Sequence, residues 1–147
     1  MIRTLHTLFA LRDLRTSPVV VVQTIIAARI AILYARAGRD YLPDMAVRLR
    51  SMRAAQALQA VLETANAVWP EPLLVHRPCC TMMTPDEALV ADITLAAMRG
   101  SRGHAMEAMR DLLPSLPRDR LFGEMIELVD AIRAVQADPA NRGKTPE

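Results

Sequence analysis

Residues 18–35 read PVVVVQTIIAARIAILYA, the most apolar stretch of a 147-residue chain. Four consecutive valines, Val19 to Val22, favour a strand, because side chains branched at Cβ suit an extended backbone. The stretch nevertheless runs on without a turn signal, too long for an ordinary strand. Its second half carries Ala and Leu, which are good helix formers. A helix from Pro18 to about Ala37 is therefore predicted, with Ser17 and Pro18 as its start signal and Gly38 as its stop. Ile25, Ile26, Ile30, Ile32 and Leu33 point around most of its circumference, which predicts a central helix or one in a subunit interface.

The same stretch follows a basic N-terminus containing Arg3, Arg12 and Arg15, the outline of a signal peptide or membrane span. Gln23, Thr24 and Arg29 interrupt it, however, and a charge near the middle costs about 2.5–3.5 kcal/mol on insertion. No small-residue cleavage site follows cleanly, since Arg36, Arg39 and Asp40 come next. The expectation is a packed helix in a soluble protein, with a membrane unlikely as partner.

Before this helix, Ile2, Leu5, Leu8, Phe9 and Leu11 give Ile2 to Leu14 the pattern of a short amphipathic helix. After it, Met45, Leu49, Met52, Leu58, Val61, Leu62, Ala65 and Trp69 predict one long helix from Pro43 until Pro70 and Pro72 end it. Thr84-Pro85-Asp86-Glu87 is a capping box with Pro at the first helical position. It opens a helix that Gly100 closes. Shorter periodic runs predict helices over His104 to about Leu113 and about Arg118 to Gln136. The predicted fold class is all-α: a compact bundle of five or six helices with one irregular loop near residues 70–83. Residues 1–137 are expected to form a single domain, and residues 138–147, with Pro139, Gly143, Pro146 and no apolar stripe, a flexible tail.

Composition agrees. Apolar residues make up 52% of the chain but aromatics only 3%, so aliphatic side chains and nine methionines must build the core. The chain is long enough to bury one without disulfides. The net charge of +2 hides an asymmetry. Residues 1–80 carry ten Arg against five acids, and residues 81–147 carry eight bases against eleven acids. This balance suits attraction between the halves or between copies, and secondarily an anionic partner for the first half.

Candidate chemistry is concentrated in His76-Arg77-Pro78-Cys79-Cys80-Thr81-Met82-Met83. His76, Cys79, Cys80, Met82 and Met83 are soft ligands of the kind that suits Cu(I). The spacing lacks a second cysteine pair for zinc. Adjacent cysteines do not make a secreted disulfide framework, and a reducing, cytoplasmic setting is expected. Either cysteine can equally serve as a small core filler, and the pair can act as a redox switch. His104, Glu107 and Asp111 fall at helical spacing and could share a face. Arg99 to Gly103 joins two helices in the outline of a helix-turn-helix, but Glu107 and Asp111 would oppose phosphates. Arg36, Arg39, Arg48, Arg50 and Arg53 form the better basic surface for nucleic acid. No nucleophile elbow, phosphate loop or H-E-x-x-H pair occurs, so no catalytic residue is assigned. The leading expectation is a non-catalytic, homo-oligomeric interaction or scaffolding module with itself or another helical protein as partner. A thiol-based sensor at Cys79 and Cys80, and nucleic-acid binding by the Arg-rich half, are the alternatives.

Overall fold

A computed structural model describes residues 12–141; residues 2–11 of the amphipathic helix expected over Ile2 to Leu14 and the last residues of the expected tail lie outside that range. The described end of the amphipathic segment is not α-helical, since Asp13 bridges Met82 and a 3-10 turn begins at Leu14. Six α-helices occur among the described residues: α1 (Val19–Arg36), α2 (Leu42–Leu49), α3 (Met52–Val68), α4 (Pro85–Arg99), α5 (Arg102–Met109) and α6 (Ser115–Ala137). Single 3-10 turns occupy Leu14–Thr16 and Pro139–Asn141. The all-α bundle is as expected.

The helix expected from Pro43 to Trp69 is two helices. Arg50 adopts the left-handed conformation (φ 56°) at the end of α2, which a non-glycine residue takes only at a cost. Ser51 then starts α3, its hydroxyl accepting from the Ala54 amide at 3.0 Å. The serine cap competes with continuation of the helix, and it decides the break. Pro18 likewise stands just before α1 rather than in its first turn, while the Ser17 hydroxyl donates to the Asp13 carbonyl.

Helices α3 and α6 form the most extensive contact in the bundle. They run antiparallel: Arg53 reaches Glu127, while Thr64 and Ala67 lie beside Arg120 and Glu124. Leu58, Val61 and Ala65 of α3 and Leu121, Phe122, Met125, Leu128 and Val129 of α6 are buried in one apolar cluster. Small residues at Ala54, Ala55, Ala96, Ala105 and Ala131 allow the backbones to approach in a core with few aromatics.

Helix α1 is not in the middle. It lies against α4 and α2, with lesser contact to α3 and α6, and buries Val20, Val21, Thr24, Ile25, Ala27, Ala28, Arg29 and Ala31. Its length and composition would allow it to cross a membrane, with 44% of it buried within the fold. Such a helix is compatible with a soluble protein. The pattern of apolar residues all round α1 showed that it wants cover; it did not show that, among the described residues, Val19 and Leu33 are left exposed.

Helix α4 opens on the capping box read from the sequence. The Thr84 hydroxyl accepts from the Glu87 amide at 3.0 Å, and the Glu87 carboxylate accepts from the Thr84 amide at 2.9 Å. Thr84 also donates to the Leu74 carbonyl at 2.6 Å, tying the loop to the cap. Thr84→Val, which keeps the shape and loses both hydroxyl bonds, is expected to destabilise by about 1–2 kcal/mol. Urea unfolding measures it, and an unchanged midpoint would show the cap to be dispensable.

Candidate functional site

The irregular segment between α3 and α4 is organised from two sides. From α4, the Asp86 carboxylate accepts from the Trp69 indole N–H at 3.3 Å and from the Leu74 amide at 2.8 Å. From the N-terminal side, residues 12–14 lie antiparallel to 81–83: the Leu14 amide donates to Thr81 O at 2.7 Å and the Met83 amide to Arg12 O at 2.8 Å. The Arg12 guanidinium reaches Asp92 at 2.5 Å and the Ala88 carbonyl at 3.2 Å.

The centre of this arrangement is Arg29, whose side chain is fully buried. Its Nε donates to Glu87 Oε2 at 2.5 Å and its Nη2 to Glu87 Oε1 at 3.1 Å. The remaining donors go to backbone carbonyls: Nη1 to Cys80 O at 2.6 Å and Arg77 O at 3.2 Å, and Nη2 to Met82 O at 2.8 Å. A guanidinium has five N–H donors and no acceptor, and here every nitrogen has a partner. A buried charge survives only when paired and hydrogen-bonded in this way. The residue that interrupts the apolar stretch is therefore the peg around which residues 77–82 are wrapped.

Wrapping fixes the cysteines. Arg77 to Cys80 form a turn closed by the Cys80 amide on Arg77 O at 3.0 Å, with Pro78 at the second position, where its fixed φ is favourable. Both cysteines are free, Cys79 exposed and Cys80 half-buried. His76 and Met82 are half-buried. Met83 turns inward and is enclosed with Leu14, Val21, Ile25 and Ala91. Among the described residues no group of three or more His, Cys, Asp or Glu side chains is placed to hold a metal ion. The two thiols are thus adjacent on a fixed turn, and Met83 is apart from them.

The other candidate residues are dispersed. Helix α5 ends at Met109, so Asp111 lies past the helical register that would align it with His104 and Glu107; Glu107 reaches Arg110 instead. Within the expected basic surface, Arg50 and Arg53 are separated by the α2–α3 break. In the rest of the basic set, Arg36 donates to Leu73 O, Arg39 stacks over the Tyr34 ring and Arg53 faces Glu127. A hydrogen bond to Asp44 holds the Tyr34 phenol above its ordinary pKa, which puts a carboxylate in the middle of this surface.

Two surface features stand apart from the cysteine turn, the first without a signal in the sequence and the second foreshadowed by the apolar pattern of α1. A concavity of about 570 Å³ opens between α1, α3 and Pro72–Leu73, with Ala31, Ala35 and Leu62 in its wall and Arg36, Tyr41 and Glu63 beside them. Burial, and next the nearby Glu63 and Asp40 carboxylates, push the Tyr41 hydroxyl pKa up. With both charge signs in its wall, the concavity favours no one ligand charge.

The second feature is the outer face of α1. At about 100° per residue, Val19, Val22, Ile26, Ile30 and Leu33 fall within an arc of about 80°. Val19 is 65% exposed and Leu33 46% exposed; the three between are half-buried. No family model matches this chain, and no curated protein and no solved structure is significantly similar to it.

Proposed function

We propose that this chain is a non-catalytic helical interaction module that pairs with a second copy of itself through the outer face of α1. The carrying observation is the apolar stripe from Val19 to Leu33 on the face of α1 that the other described residues leave exposed or half-buried. Apolar surface at regular helical spacing is normally covered by a partner. The charge pattern favours a like copy in antiparallel orientation. Helix α1 contains no acidic residue, its Arg29 is buried, and Arg36 stands at its end. Antiparallel pairing keeps the two Arg36 side chains at opposite ends of the contact. The stripe is about 21 Å long and small beside the ~800 Å² per partner of a standard interface, so a weak, concentration-dependent dimer is expected. On this reading the cytoplasm is the compartment assigned, where unpaired thiols persist.

Sedimentation velocity across a concentration series tests it. The wild-type protein is expected to move from monomer to dimer, and Val19→Glu with Leu33→Glu to stay monomeric with unchanged helix content, since both positions are exposed. A wild-type protein that stays monomeric into the millimolar range, weaker than about −4 kcal/mol of association, would overturn the reading. A monomer that dimerises only when residues 1–11 are deleted would assign the face to that segment and would equally overturn it.

A further inference from the structure

We propose that Cys79 and Cys80 together form a two-coordinate thiolate site for one soft monovalent cation, Cu(I) being the fitting chemistry. The inference is independent of self-association.

It begins with what the turn disfavours. The Cys79–Cys80 peptide is trans, so the two Cα atoms stand ~3.8 Å apart, below the ~4.4–6.8 Å that disulfides normally span. Relief by moving the backbone is obstructed on both sides of Cys80. Its amide is held by Arg77 O, and its carbonyl by the buried Arg29 guanidinium at 2.6 Å. Closing a bond between these sulfurs means giving up the turn or the peg.

A bridging metal removes that conflict. With metal–sulfur bonds near the ~2.3 Å of thiolate zinc, the sulfurs stand up to ~4.6 Å apart instead of the ~2.05 Å of a disulfide. Adjacent side chains on an undistorted turn can supply that separation. The metal's identity follows from what is missing around it. Zinc asks for four ligands and calcium or magnesium for a shell of oxygens, while the described residues gather no third His, Cys, Asp or Glu here. Two thiolates alone suit Cu(I). Binding is a proton exchange without electron transfer: two thiols release two protons, and two S–Cu bonds form. The exposed Cys79 sulfur gives a donor complex a place to begin ligand exchange.

The test is an anaerobic titration of the full-length, reduced chain against Cu(I) held by the coloured chelator bathocuproine disulfonate, with native mass spectrometry. One Cu(I) per chain is expected to leave the chelator, with two protons lost from the protein. Losing a direct ligand costs more than the ~10–100-fold typical of an outer-shell partner, so Cys79→Ser and Cys80→Ser should each weaken binding by over ~100-fold at unchanged helix content. Cys79 is exposed, so its variant carries the comparison even if Cys80→Ser disturbs the turn. No copper withdrawn, a full equivalent retained by Cys79→Ser, or one copper per two chains would each overturn the proposal. So would rapid formation of a Cys79–Cys80 disulfide in oxidised glutathione.

Discussion

Arg29→Met is expected to destabilise the protein by about 3–5 kcal/mol, because it leaves the Glu87 carboxylate buried without its counter-charge. Methionine fills much of the same space, so the loss measures charge and hydrogen bonding more than a cavity. For a domain of this size each kcal/mol moves the midpoint roughly 2–4 °C, which predicts a fall of about 6–20 °C in thermal unfolding. Glu87→Leu should cost a similar amount for the mirror-image reason, with the capping contribution of Glu87 to the Thr84 amide lost as well.

The double variant Arg29→Met with Glu87→Leu separates two parts of the interaction. Where a buried pair is only a pair, replacing both partners is often neutral. Here the guanidinium also holds the carbonyls of Arg77, Cys80 and Met82. Part of the loss should therefore persist, at about 1–3 kcal/mol for carbonyls left unsatisfied. Amide exchange at Cys80 and Thr81 should quicken more than exchange in α3 or α6. Full recovery, or a single Arg29→Met variant within 1 kcal/mol or so of wild type, would show that the loop is held by its other ties.

Little of this network was legible in the sequence, and the reason is physical. Arg29 stood out as the charge that makes membrane insertion costly, and Thr84 and Glu87 stood out as a capping box. Both readings depend on residues within one helix turn or one stretch. That Glu87 serves the cap and Arg29 at once depends on a contact across 58 residues, and no local spacing encodes it. The break at Arg50 and Ser51 was legible in kind, since serine is a preferred cap, but an apolar period running through it masked the signal. The cysteine loop was legible as chemistry: its residue types are soft ligands. What separates them, Met83 packed inward and Cys79 facing solvent, is settled by tertiary packing.

Leu128→Ala should be the other large effect, and its contrast with Leu33→Ala tests where the core lies. Both are leucines in helical apolar patterns, and Leu33 belongs to the stretch whose composition predicted the central helix. Leu128 is fully buried in the α3–α6 cluster, whereas Leu33 is 46% exposed on the outer face of α1. Truncating a fully enclosed leucine removes its transfer energy and leaves a cavity, about 2.7–5 kcal/mol. At a half-exposed position no closed cavity forms and only part of the side chain's burial is lost, so Leu33→Ala should cost under about 1 kcal/mol. Dilute protein in urea, below the range in which α1 pairs with a second copy, gives both values. Equal losses would mean that Leu33 is covered within the monomer, and the free face of α1 would disappear with that result. A loss confined to Leu128 places the packing energy in α3 and α6, and leaves the apolar length of α1 to be explained by what it meets outside its own chain.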